Sequence, residues 1–296
     1  MGTDQKRDGL DKGDFKLKHL VLGSAGQIGT PLCEFIQKQG DEVSTFDIVD
    51  DPGQDLRVYN NGFLKREIAT ADFVYFLAYD VGGSRYLEQN QDKPYFIMNN
   101  LQLMQNTFLE LEKYSKPFLF ASSQMADMKH STYGGLKFIG ERMTKSLGGT
   151  ITRFWNVYGP ERDLDKAHVI TDFALKAMKE KKIEMMTDGK ETRQFLHAED
   201  CSRALYMISK EPQKYSGLSL DVTSFEWTSI KEIAEVVSKI CGNVPVIPGT
   251  KEDTVQKLVD IPPDREILQY WNPNMTLEEG IRDVIASIEE MHGKVL

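Results

Sequence analysis

The chain has 296 residues, 40% hydrophobic and 27% charged, with a net charge of −9. That is ordinary soluble composition for one or two domains with a large core, and the acidic balance provides no field for nucleic acid. Cys33, Cys201 and Cys241 are the only cysteines and no CxxC or HExxH spacing occurs, which argues against a disulfide scaffold, suggests no metal site and fits a reducing cytoplasm.

Met1 to Phe15 is charged and lacks an apolar h-region, so it reads as a flexible tail rather than a signal peptide or membrane span. Lys18-His-Leu-Val-Leu-Gly23 is a short apolar run ending in glycine, the pattern of a buried parallel strand. Residues 30–39 have helical spacing, with Leu32, Phe35 and Ile36 on one side and Gly40 as the stop. Glu42 to Asp47, Phe73 to Ala78 and Pro117 to Ala121 read as further strands, with helices over Tyr95–Tyr114 and Tyr133–Ser146 and another strand over Ile151–Asn156. This alternation predicts an α/β fold with a doubly wound parallel sheet. Beyond Pro160 the pattern loosens: Ala167–Lys181 and Ser229–Ile240 read as helices, Pro245 to Thr250 as a loop or short strand, and Pro262-Pro263 as a break.

Gly23-Ser-Ala-Gly26-Gln27-Ile28-Gly29 lies between the first strand and the first helix. Glycines there let the chain turn tightly and let a pyrophosphate approach backbone amides at a helix N-terminus. Asp47 ends the next strand, 18 residues beyond Gly29. A carboxylate there accepts from both ribose hydroxyls of NAD and repels the extra phosphate of NADP, so NAD is the expected cofactor. Tyr133-Gly-Gly-Leu-Lys137 sets a tyrosine and a lysine four apart on one helix face. A nearby ammonium stabilises phenolate, and Ser123, after the strand ending at Ala121, can hold a substrate alcohol. The alternative for the pair is a half-buried tyrosine with a snorkelling lysine.

With these motifs the chain resembles the extended short-chain dehydrogenases, the nucleotide-sugar epimerase and dehydratase group. Further matching features are Asp55-Leu56, Leu77-Ala78, Asn100, Arg153-Phe-Trp-Asn156-Val-Tyr-Gly-Pro160, Asp188-Gly189 with Arg193, and Trp271-Asn-Pro273 before Leu277-Glu-Glu-Gly280. The resemblance implies a Rossmann fold, with residues 16–160 mainly binding NAD. Residues 161–296 would mainly form a smaller mixed α/β substrate lobe, with some strands returning to the sheet. It implies that Asp55 reaches adenine and that Leu56, Leu77, Ala78 and Asn100 lie near the cofactor. Asn156 and Arg193 would bind substrate diphosphate, and Ser123, Tyr133 and Lys137 would be the catalytic triad, with Tyr133 deprotonating a sugar hydroxyl, usually at C4. Relatives commonly form homodimers through two helices, here Tyr95–Tyr114 and Tyr133–Ser146. Leu101, Met104 and Phe108 would then form an outer face needing cover, unless they simply cover the sheet.

The chain departs from that pattern in several places. Dehydratases of the group have an acidic pair directly after the catalytic Ser or Thr, where this chain has Gln124 and Met125, neither able to exchange a proton at neutral pH. Epimerases acting on GDP-sugars have a cysteine where Met125 stands. Gly82-Gly83 and His168 nevertheless resemble that branch's hexose-contacting glycines and second acid/base position, the alternative being a plain loop and a helix-start residue. Tyr133 follows Ser123 by only 10 positions, less than half the usual family interval, and this short SSQM-containing segment resembles the GDP-heptose 4-dehydrogenases of bacterial capsule pathways. An arginine common three residues before Asp253 is Thr250 here, with Lys251 beside it. The implied function is NAD-dependent oxidation at C4 of a nucleotide-diphosphate sugar, as a 4-dehydrogenase or 4-epimerase. A nucleotide-sugar dehydratase and a non-catalytic NAD-sensing module are the alternatives.

Overall fold

The computed structural model describes residues 16–128, 130–161, 164, 167–252 and 261–292. The expected tail, residues 1–15, lies outside them. Along the chain run β1 (Lys18–Leu22), α1 (Gly29–Lys38), β2 (Glu42–Phe46), α2 (Gly62–Thr70), β3 (Phe73–Phe76), α3 (Ser84–Asn90), α4 (Pro94–Tyr114), β4 (Phe118–Ser123), α5 (Thr132–Ser146), β5 (Thr150–Phe154) and β6 (Asn156–Tyr158). There follow α6 (Val169–Glu180), β7 (Ile183–Glu184), β8 (Thr192–Arg193), β9 (Phe195–His197), α7 (Ala198–Lys210), α8 (Pro212–Tyr215), β10 (Ser219–Val222), β11 (Thr228–Ser229), α9 (Ile230–Ile240), β12 (Val246–Ile247) and α10 (Leu277–His292).

Six parallel strands form the central sheet in the order β10-β5-β4-β3-β1-β2, the α/β architecture that the alternating pattern implies. Successive strand residues go to opposite faces. Leu20, Leu22, Val74, Phe76, Phe118 and Phe120 enter a core with residues of α2, α4 and α5, whereas Val21, Phe73, Tyr75, Leu119 and Ala121 enter a second core with α1 and α7. Both faces are therefore covered, which is why these strands are apolar throughout. A third core joins α6, α9 and α10 through Ile170, Phe173, Ile233, Val237, Ile281 and Ile288.

Local chemistry sets the element ends. Gly40 follows α1 at φ +87°, where an L side chain would be strained. Pro94 opens α4 and Ser131 caps α5 by accepting from the Gly134 amide at 3.0 Å. Ser229 and Glu232 form a capping box on α9.

Two sequence expectations need correction, and the loop or short strand over Pro245 to Thr250 proves to be a short strand. The strand read as Ile151–Asn156 breaks at Trp155, whose indole donates to Asp221 and stacks edge-on against Trp227. The chain then leaves the main sheet, and β6 pairs with β9. Val246–Ile247 is a strand because it finds Ile183–Glu184 as a partner. Met104 and Phe108, expected on an outer face, lie in the first core, and Leu101 packs partly buried against it. The large apolar residues that α4 exposes are Tyr95, Met98 and Leu109, near in kind to Phe138 and Ile139 on α5.

Candidate functional site

The strand order reverses between β1 and β3, which flank the glycine turn, and a crevice at such a switch point is where open α/β sheets bind ligands. Leu77 and Ala78 both donate their amides to the Leu22 carbonyl, and the Gly23 amide donates to Phe46. Gly23 has φ +90°, and a Cβ on it would meet the Ala78 backbone at 2.7 Å. A Cβ on Gly29 would lie 2.1 Å from the Gly23 carbonyl oxygen, so only glycine lets α1 start this close to β1. Gly26 is less crowded, its nearest neighbour being the same oxygen at 3.3 Å.

Asp47 accepts from the Ala25 amide at 3.0 Å and the Val49 amide at 2.9 Å, tying the turn to the end of β2. The Ser24 hydroxyl and the Gln27 side-chain nitrogen are buried with no hydrogen-bond partner among the described residues. Buried polar atoms are rarely left unpaired, so a turn shaped for close approach and lined with idle polar groups fits a dinucleotide pyrophosphate. Ile28 directly precedes α1 and packs partly buried on the second core. Asp55 is engaged by the Arg57 guanidinium at 2.9 Å, which holds its carboxyl below the usual range, while Leu56 is buried. The fully buried Asn100 accepts from the Asp80 amide and donates to the Asp80 and Phe96 carbonyls, so it clasps the loop that follows β3.

Ser123 ends β4 and its hydroxyl accepts from the Met125 amide at 3.2 Å. Gln124 and Met125 occupy the next turn, a single 3-10 segment over Gln124–Asp127, and both are buried. Met125 packs in the first core with Tyr133 and Leu136. Burial pushes the Tyr133 phenol up to about 12, and the Ser123 side chain opposes that shift. Lys137 is buried, donates to the Ala121 carbonyl at 2.6 Å and lies 5.7 Å from the Tyr133 ring centre. Burial pulls its ammonium well below the ordinary lysine range, opposed by the charge of Glu141. Ser123, Tyr133 and Lys137 are thus gathered at the end of β4.

Gly83 precedes α3, and a Cβ there would lie 2.9 Å from the Ala167 carbonyl and near His168. A Cβ on Gly82 would press on the Tyr86 side chain. His168 precedes α6, with Nδ1 2.6 Å from the buried Glu161. Burial pushes the Glu161 carboxyl up, but the hydrogen bonds from His168, its charge and a hydrogen bond from Thr171 together outweigh it and leave the group below its ordinary value. The Asn156 side-chain nitrogen is buried without a partner among the described residues, and Arg193 is mostly buried and donates to the Thr192 carbonyl. Lys251 is exposed, and Asp253 lies outside the described residues.

Other residues join this region that the sequence reading does not single out. Gln91, at the end of α3, accepts from the Ser131 hydroxyl and the Tyr133 amide. Glu141 accepts from Ser122 and Arg153, and Arg153 also reaches Asp127, so the 3-10 segment is pinned at both ends. Helical spacing of four residues from Lys137 is a signal for Glu141. Tyr79 lies against both Lys137 and Tyr133, and no local pattern announces it.

Among the described residues, no cluster of three or more His, Cys, Asp or Glu could hold a metal, and no helix is long and apolar enough to cross a membrane. The sequence profile of the NAD dependent epimerase/dehydratase family matches residues 19–218. An uncharacterized UDP-glucose epimerase, YtcB, of Bacillus subtilis is 24% identical over 93% of this chain and 99% of that protein. A UDP-N-acetyl-alpha-D-glucosaminuronate decarboxylase of Bacillus cytotoxicus is likewise 24% identical, with the same two coverages. The fold matches that of a UDP-glucose 4-epimerase of Thermotoga maritima, solved with UDP-glucose, with a TM-score of 0.78, 18% identity and coverage of 93% of this chain and 100% of that one.

Proposed function

The chain belongs to the NAD dependent epimerase/dehydratase family, with NAD as its cofactor, and from that premise we propose that it oxidises C4 of a nucleotide-diphosphate sugar without eliminating water. The observation that carries this reading is the buried cluster of Ser123, Tyr133 and Lys137, followed by the uncharged Gln124 and Met125. NAD, when bound, supplies the acceptor for the hydrogen leaving C4 as hydride. Tyr133 is the base that takes the C4 hydroxyl proton. Ser123 holds that hydroxyl, and the Lys137 ammonium favours the phenolate. Gln124 and Met125 supply no acid or base for elimination.

Gly23, Gly26, Gln27, Ile28, Gly29 and Asp47 would hold the dinucleotide, with Asp55, Leu56, Leu77, Ala78 and Asn100 completing that side. Arg193 and the Asn156 amide, whose nitrogen has no partner among the described residues, would bind the diphosphate. In this reading residues 16–160 mainly serve the cofactor and residues 161–296 mainly the substrate. The approach of Gly83 to Ala167 and His168 supports a GDP-sugar, with a GDP-heptose as the specific candidate, whereas the named relatives carry UDP-sugars in their names. The product is a released 4-ketone or, after reduction from the other face, the C4 epimer.

The test is incubation of the NAD-saturated protein with GDP-, UDP- and CDP-sugars, with products weighed by mass spectrometry. Loss of two hydrogens identifies the 4-dehydrogenase, and an unchanged mass with a new stereoisomer identifies the 4-epimerase. Loss of one water would overturn the reading in favour of a dehydratase. Binding of NAD with no turnover of any nucleotide sugar would favour a sensing module.

A further inference from the structure

Lys137 is a buried cation with little to hold its charge. Its ammonium donates to the Ala121 carbonyl, and among the described residues no carboxylate forms an ion pair with it. Glu141, one helical turn away, acts on it only through space, because its oxygens are taken by Ser122 and Arg153. The other groups facing it are the Phe120 ring of β4 at 5.0 Å, Tyr133 of α5 at 5.7 Å and Tyr79 of the loop after β3. Of these Tyr79 is much the nearest, with the ammonium 3.5 Å from its ring centre. The same ring meets Tyr133 edge-on at 5.8 Å, and among the described residues its hydroxyl reaches the Met104 sulfur, at 3.9 Å.

We propose that Tyr79 is a positioning residue whose ring face keeps the Lys137 ammonium charged and seated beside Tyr133. The inference rests on reading Tyr133 and Lys137 as the proton-transfer pair. Burial favours the neutral amine, whereas the negative face of an aromatic ring attracts a desolvated cation. The ring supplies this without competing for the Lys137 proton, as a carboxylate would. The phenol oxygen of Tyr79 contacts the Met104 sulfur, and it is the ring that meets the cation.

The test is nuclear magnetic resonance of the NAD-saturated protein labelled at the lysine ε-carbons, with the Lys137 signal assigned by its loss in Lys137→Met. In the native protein the Lys137 ε-protons are expected upfield of the exposed lysines, because they sit over a ring. Tyr79→Phe should keep that shift and the titration midpoint. Tyr79→Leu should lose the shift and lower the midpoint by about one pH unit. A native signal at the exposed-lysine position, or an unchanged midpoint in Tyr79→Leu, would overturn the proposal. Should Tyr79→Leu fail to fold, the native shift and its retention in Tyr79→Phe still decide the matter. These signals are read without turnover, whereas native-like turnover by Tyr133→Phe would remove the underlying catalytic reading and leave the Tyr79 contact standing.

Discussion

At the residue scale, the proposed oxidation would rest on a phenol that burial makes a reluctant acid. Burial pushes Tyr133 up to about 12, so the phenolate is scarce at neutral pH and grows as pH rises towards that value. Turnover is therefore expected to climb from about pH 6 to about pH 9, and a profile falling over that range would contradict Tyr133 as base. Tyr133→Phe should cut turnover about 10²–10⁴-fold while NAD affinity, measured by calorimetry, stays within a few-fold. The linkage sign for stability is the opposite: the folded state holds the Tyr133 proton more tightly, a contribution present below the ordinary tyrosine range and lost as pH rises through about 12. Asp47 accepts from the Ala25 amide in addition to the ribose contact we propose for it. Asp47→Ala should weaken NAD binding about tenfold and erode the preference over NADP. Equal affinity of the native protein for the two dinucleotides would remove Asp47 from that role.

At the element scale, the site depends on α5 starting directly against the 3-10 segment that follows β4. Gly134 permits this: a Cβ there would sit 2.0 Å from the Met125 carbonyl oxygen, a backbone atom unable to yield without moving the segment. Gly134→Ala should cost about 1–3 kcal/mol in urea unfolding. It should also lower turnover, because Ser123 and Tyr133 flank the displaced contact. Gly135, next along the helix, has nothing within 4 Å of its Cβ position, so Gly135→Ala is the control and should be neutral or slightly stabilising. Equal effects of the two substitutions would refute the packing argument.

At the scale of the whole molecule, α4 and α5 pack together and expose Tyr95, Met98, Leu109, Phe138 and Ile139. A homodimer through these two helices remains our proposal, now resting on these side chains and not on Met104 and Phe108, which the chain's own core consumes. Sedimentation at micromolar concentration should show a dimer. Phe138→Lys with Ile139→Glu should yield a monomer that still binds NAD, and a native monomer would reject the interface.

What the sequence determined by itself was whatever depends on near neighbours in the chain. Apolar runs such as Lys18–Leu22 specify buried parallel strands, glycine-bounded helical spacing specifies α1, and residues four apart on α5 put Tyr133 and Lys137 on one face. The family resemblance, including its cofactor NAD, was legible for the same reason, because those motifs are short and local. Tertiary structure decided what depends on distant partners. Trp155 interrupts a strand because Asp221 and Trp227 meet it. Val246–Ile247 becomes a strand because Ile183–Glu184 is beside it, and Met104 is core because Phe120 and Gly140 lie close by. The surroundings of Lys137 are the clearest case, because the Tyr79 ring reaches it from the loop after β3 and the Ala121 carbonyl from β4. No local pattern encodes that meeting, because hydrogen bonds and ring contacts act over a few ångströms in space, whatever the separation along the chain.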